Sequence, residues 1–288
     1  MKNKNEQYSL LIDEIVNKLI STIELSINKN GEDPNEVVSV LMLRLLADYA
    51  DGISILIKNG TCDPVIPILR SASEVRANLL YLFEGDYTTK SLQFIYFYHK
   101  MREEEHLKLK PGTYQNERLI NSLKSDDYTS KETLDQVLHA FNPYGLERIR
   151  EALKGKEFKK FNTYWNNSRQ SQKKYWYSLL GGPKSLAELF KHLKLHSQYE
   201  VTYHVQSGLV HGLTIFDGNL ETIDDKYAQV RSIRKSSKSQ EFSLEIINIC
   251  TSILHQYYKK KIPTDLYQTA AWLYTYNQKL HTIMKDLL

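Results

Sequence analysis

Apolar positions recur every three or four residues over most of the chain, and no stretch sustains the every-other alternation of a strand. That pattern predicts an all-α protein, a multi-helix bundle with long antiparallel helices. Over 5–29, Leu11, Ile15, Leu19 and Ile23, with Val16, Ile20 and Ile27, form one broad stripe that ends at Asn30-Gly31. Asp33-Pro34 is a helix-start signal for a second long helix through Lys58, predicted to pair antiparallel with the first. Asp63-Pro64 repeats the signal, and Ile66, Leu69, Ala72, Val75, Leu79 and Leu82 carry a third helix to Phe83 before Gly85 stops it. A fourth, over 88–109, contains the aromatic run FIYFYHK, and Pro111-Gly112 closes the amino-terminal half.

From 113 to 180 the periodicity weakens into short polar helices at 115–124, 131–141 and 145–154. This region reads as an inserted lid of short helices within a single helical domain, 1–288. After the turn at Gly181-Gly182-Pro183, Ser185 and Glu188 make a capping box for another helix, and one more is predicted over 199–210. An extended segment is expected near 213–216, followed by terminal helices at about 240–260 and 264–287.

Within that frame the helix over 199–210 is unusual. Tyr199, Tyr203, Ser207 and His211 recur every four residues, placing four hydrogen-bonding side chains on one ridge where a core face would carry Leu, Ile or Val. Such a ridge is either a satisfied internal network or a face turned to a cleft. His211 precedes Gly212 at a helix end, where the macrodipole favours an imidazolium, so it is a candidate general acid or base with Ser207 as hydroxyl partner. The alternative is a structural histidine capping the helix. A second candidate is Arg70 with Glu74, an i,i+4 pair that can hold a guanidinium in fixed orientation; the alternative there is a plain surface ion pair.

Composition narrows the classes. A hydrophobic share of 41% and a charged share of 25% belong to an ordinary globular protein. Twenty tyrosines against nine phenylalanines supply many part-buried rings whose hydroxyls need partners. Cys62 and Cys250 fit neither a disulfide framework nor a zinc spacing. No secretory h-region opens the chain and no run approaches the length of a membrane span, so a cytoplasmic location without membrane contact is expected. The P-loop, dinucleotide, HExxH and GxSxG signatures are missing, and Glu103, Glu104, Glu105 and His106 lack a second Glu-x-x-His helix for a di-metal bundle. No metal and no cofactor are expected.

Three blocks, RSASEVRANLLYL at 70–82, YWYSLLGGPKSLAEL at 175–189, and Tyr199, Tyr203, Ser207 and Val210-His211-Gly212, occur in the order that resembles an uncharacterised bacterial helical family, domain-of-unknown-function family 5677. The resemblance spans 70–212 and marks Arg70, Glu74, Trp176, Tyr199, Tyr203, Ser207 and His211. It implies a helical bundle and no agreed activity. A looser similarity links the chain to HEPN-type helical proteins, many of them metal-independent ribonucleases of toxin and phage-defence systems that place an Arg a few residues before a His. The nearest local match, Arg102 to His106, is shorter than that motif and sits among carboxylates, so only Arg70 with His211 could substitute.

On that similarity the chain is expected to be an RNA-cleaving or nucleotide-processing effector of a defence or toxin system. Arg70, Glu74 and His211 would be catalytic, Tyr199, Tyr203 and Ser207 substrate-binding, and RNA, a second copy of the chain and a cognate antitoxin or defence partner are the partners considered. The alternative is a non-catalytic helical module binding a small ligand or a partner protein. The net charge of +4 neither requires nor forbids nucleic acid. Arg231, Arg234 and Lys235, with Lys226, Lys238 and Lys259 to Lys261, could contact a phosphate backbone, although such runs are commonly solvated surface.

Overall fold

Long helices form where the apolar stripes are longest. The structure, a computed structural model, describes residues 4–30, 33–127, 130–204, 220–224, 227–230 and 238–287. In chain order the helices are α1 (Lys4–Asn30), α2 (Glu36–Lys58), α3 (Val65–Leu82), α4 (Tyr87–Leu109), α5 (Tyr114–Lys124), α6 (Lys131–His139), α7 (Pro143–Leu153), α8 (Lys159–Asn167), α9 (Leu186–His192), α10 (Ser239–Lys261) and α11 (Leu266–Leu287). Asp33 does not cap α2 directly. Its carboxylate accepts from the backbone and side-chain nitrogens of Asn35, each at 2.9 Å, and the helix begins one residue later. Gly85 holds a left-handed φ of +70° after α3, a conformation that favours glycine.

The chain divides into two compact units, Met1–Tyr87 with Leu186–Leu288, and Thr88–Ser185. In the first, α1, α2, α3 and α10 pack on one another around Leu11, Leu19, Leu43, Leu46, Leu69, Ile246 and Ile253, all essentially inaccessible to water. The hydroxyls of Ser9 and Ser54 lie 2.9 Å apart and Ser26 donates to Glu36, so α1 and α2 run antiparallel as their spacing predicts. Tyr257, near the end of α10, meets Phe83 just beyond α3, so α10 runs the same way as α3. α11 folds back along α1, where the Tyr276 hydroxyl donates to the Leu11 carbonyl at 2.9 Å and Asp265 pairs with Lys29.

This bundle also buries a charge. Glu36, 2% exposed, accepts from Ser26 at 2.9 Å, Ser39 at 3.1 Å and Tyr257 at 2.6 Å, and pairs with Lys261 at 2.5 Å. The Lys261 ammonium also stands 3.6 Å from the centre of the Tyr87 ring. Lys261 is therefore an internal cation and not part of a phosphate-binding surface with Lys259 and Lys260. Every oxygen of a carboxylate removed from water needs such partners, because an unpaired buried charge is costly.

The second unit begins at Thr88 and takes in α4, which the Pro111-Gly112 punctuation would place with the amino-terminal helices. The physical reason is the aromatic run. Tyr96, 0% exposed, stacks on Phe161 at 5.5 Å and packs against Phe158 and Trp165, while its hydroxyl donates to Asn162 at 3.0 Å. Gln93 donates to the carbonyls of Trp176 and Leu179, in a 3₁₀ segment (Trp176–Gly181) whose helical backbone is broken at Leu179 and Leu180. Phe94, Ile95, Tyr96 and Phe97 of the run thus pack into the core of this unit, while Tyr98 is exposed.

Among the described residues, one antiparallel hairpin interrupts the all-α fold. β1 (Leu220–Asp224) pairs with β2 (Tyr227–Val230), with Leu220 opposite Val230 and Thr222 opposite Ala228. The extended segment expected at 213–216 lies outside the described residues. No described helix is long and apolar enough to cross a membrane.

Candidate functional site

α3 turns Leu69, Ala72 and Val75 into the core, which leaves Arg70 and Glu74 together at the edge of the buried face. Their side chains are 22% and 40% exposed. Arg70 Nε lies 3.8 Å from Glu74 Oε1, a loose ion pair by itself. A third residue tightens it. Arg70 Nη2 donates to the Tyr203 hydroxyl at 2.7 Å, and that hydroxyl donates to Glu74 Oε1 at 2.6 Å. The guanidinium also stands 4.5 Å from the Tyr203 ring centre. The pair is therefore tied to a buried tyrosine 133 residues along the chain, not a solvated pair on one helix face.

Tyr203 reaches α3 from a wider turn than the expected α-helix. His196–Gln198 forms one α-helical turn, and Tyr199–His204 continues it as a π-helical turn, a rare form often found at functional sites. The Tyr199 and Tyr203 rings stack at 5.2 Å, and Phe190 of α9 packs against both, at 5.6 and 6.0 Å. The remainder of the predicted helix, 205–210, lies outside the described residues.

Burial, and then the hydrogen bond to Glu74, push the Tyr203 hydroxyl up to about 12, so it is neutral at physiological pH and cannot serve as a base. Tyr257 and Tyr276 are pushed up as well, by burial first and by nearby carboxylates second. A folded-state value above the ordinary 10 means stability that is complete below pH 10 and lost as pH rises from there toward about 12 for Tyr203. Helical circular dichroism and tyrosinate absorbance, followed together in an alkaline titration, are expected to show part of the tyrosinate signal appearing only as helix is lost. Full ionisation at ordinary pH with helix content unchanged would contradict this.

Sequence reasoning passed over Arg76, although it stands in the same RSASEVR block. Arg76 Nη1 donates to Gln198 Oε1 at 2.9 Å, its buried Nε has no partner among the described residues, and burial lowers the guanidinium pKa. Beside it is a cavity of about 330 Å³ lined by α3, α9, the turn carrying Tyr203, and α10. Its sequence signal was the i,i+3 step from Ser73, which places both on one face of α3.

The structure thus brings Arg70, Glu74, Tyr199 and Tyr203 together. Trp176 is buried in the core of the second unit, edge-on to Phe94 at 5.4 Å. Ser207, His211, Arg231, Arg234 and Lys235, with Lys226, lie outside the described residues. Arg102 pairs with Glu105 at 2.6 Å on the exposed face of α4. Among the described residues, no cluster of His, Cys, Asp or Glu is arranged to hold a metal ion.

Fold and site together define an all-helical protein in which the hydroxyl of a buried tyrosine bridges an arginine and a glutamate of one helix. Residues 35–228 match a family of unknown function, DUF5677, and the chain belongs to that family. No curated protein and no solved structure matches it.

Proposed function

We propose that this protein is an RNA-cleaving or nucleotide-processing effector of HEPN-like character, serving a bacterial defence or toxin system, with Arg70 as the cation at the reacting phosphate. The observation that carries the reading is the orientation of Arg70. A guanidinium held by Tyr203 and Glu74 keeps further N–H donors for an anion and needs no reorganisation when charge develops. His211 would take the proton from a ribose 2′-hydroxyl as its oxygen attacks phosphorus, and the 5′-oxygen would depart and take up a proton from water, leaving a 2′,3′-cyclic phosphate and a 5′-hydroxyl end. Glu74 and Tyr203 would act through Arg70, since both hydrogen-bonding functions of the Tyr203 hydroxyl are already engaged. Tyr199 and Ser207 would contact the substrate, and Arg231, Arg234 and Lys235 the RNA backbone. A second copy of the chain and a cognate antitoxin or defence partner belong to the same reading.

The test compares wild-type and His211→Ala protein on a cellular RNA pool, without metal and with magnesium, with sequencing of the cleaved ends. Metal-independent cleavage is expected from the wild type, lowered about 10²- to 10⁴-fold in the variant. A wild type that cuts nothing under either condition removes the reading. The second reading, a non-catalytic helical module for a small ligand or partner protein, is favoured by one observation, the cavity bounded by Tyr203 and Arg76.

A further inference from the structure

The cavity is chemically sorted. On α3, Ser73 and Arg76 lie three residues apart and both line it, offering a hydroxyl and a planar fork of N–H donors. On α10, Glu241 and Glu245 lie four residues apart and line it too, and ionised carboxylates only accept. Phe190 and Tyr203 supply aromatic wall. Arg76 makes no ion pair with any described residue, and Gln198 is its one hydrogen-bond partner among them. No described carboxylate stands within ion-pair distance of the guanidinium, the two glutamates of the cavity being carried by α10, and a fork with an unpartnered Nε and a neighbouring hydroxyl suits the several oxygens of a phosphate. About 330 Å³ lies within the range of small-molecule sites.

We propose that this cavity binds a ribonucleoside monophosphate unit, its phosphate on Arg76 and Ser73, its base against Phe190 and Tyr203, and its ribose hydroxyls on Glu241. The unit is either a free nucleotide or the 5′-phosphorylated end of an RNA. Binding here requires neither His211 nor cleavage, so it stands apart from the proposed activity, although Tyr203 is shared between the cavity and the Arg70 clamp.

Calorimetric titration of the full chain tests it, with adenosine 5′-monophosphate, its 2′-deoxy analogue, adenosine, a 5′-phosphorylated tetraribonucleotide and free tryptophan. The monophosphate or the tetraribonucleotide is expected to bind, with adenosine and the deoxy analogue weaker. Arg76→Met should weaken binding at least about tenfold, as loss of a charge-assisted hydrogen bond does. The ligand-free melting temperature of that variant should hold or rise, because a poorly compensated charge is removed. Glu241→Gln, at an exposed position where folding is not at stake, should also weaken binding.

Binding of the monophosphate identifies a free nucleotide, and binding of the tetraribonucleotide alone identifies an RNA end. Binding of neither, binding unaltered by Arg76→Met, a sharp loss of ligand-free stability in that variant, or binding of tryptophan alone each overturns the proposal. A wild type that binds the monophosphate yet cleaves no RNA keeps this site and removes the proposed activity; cleavage without binding does the reverse.

Discussion

Glu36→Ala is expected to lower stability by about 3–5 kcal/mol, the range for breaking a buried ion pair by removing one partner. The carboxylate is 2% exposed and is shared by Ser26, Ser39, Tyr257 and Lys261. Alanine leaves the Lys261 ammonium, 14% exposed, without its carboxylate, and leaves the Tyr257 and Ser26 hydroxyls to bond one another. The desolvation cost of those groups then stands uncompensated. Urea unfolding should show a lower midpoint with an unchanged slope. The paired change Glu36→Leu with Lys261→Met should cost far less than the sum of the two single changes, since neither charge is then left alone. Simple additivity would show that the two residues do not act as a pair.

The second large effect is expected at Arg70, and it rests on the proposed cleavage activity. Arg70→Lys keeps the positive charge but loses the planar fork that meets the Tyr203 hydroxyl and stacks on its ring. If the guanidinium stabilises the developing phosphorane charge, turnover should fall about 10²- to 10³-fold, as when an oxyanion-hole donor is removed. The loss should appear in kcat with little change in KM, because the interaction strengthens in the transition state. Stability should change by less than about 1 kcal/mol at a part-exposed pair. A lysine variant with wild-type turnover would remove Arg70 from the reaction. Tyr203→Phe tests the orienting role, since it deletes the hydroxyl between Arg70 and Glu74 while keeping the ring. A smaller fall is expected there, with Glu74 still in reach of the guanidinium.

Much of the architecture was legible because helix formation is written in short-range spacing. The stripe of Leu11, Ile15 and Leu19, and the Asp-Pro starts at 33–34 and 63–64, place α1, α2 and α3 to within one or two residues. The same rule placed α10 and α11. It was less informative about allegiance: α4 belongs with the short helices because Tyr96 fills their aromatic core, a relation between 96, 158 and 161 that no local period expresses. The i,i+4 step of Arg70 and Glu74 was visible on the same grounds, whereas the hydrogen-bond partner of Arg76, Gln198, is 122 residues away and no local spacing expresses it.

By itself, then, the sequence determined an all-helical chain, the extent of its long helices, a polar ridge at Tyr199 and Tyr203 and, separately, a candidate Arg–Glu pair. Those features depend on hydrophobic period and helix-end chemistry, both set within a turn or two. Only the tertiary structure decided that Tyr203 sits between Arg70 and Glu74, that Arg76 lines a cavity, and that Glu36 and Lys261 pair inside the bundle. Each of these joins residues more than a hundred positions apart. Side-chain spacing along one helix states which residues share a face, while the packing of several helices chooses what that face meets.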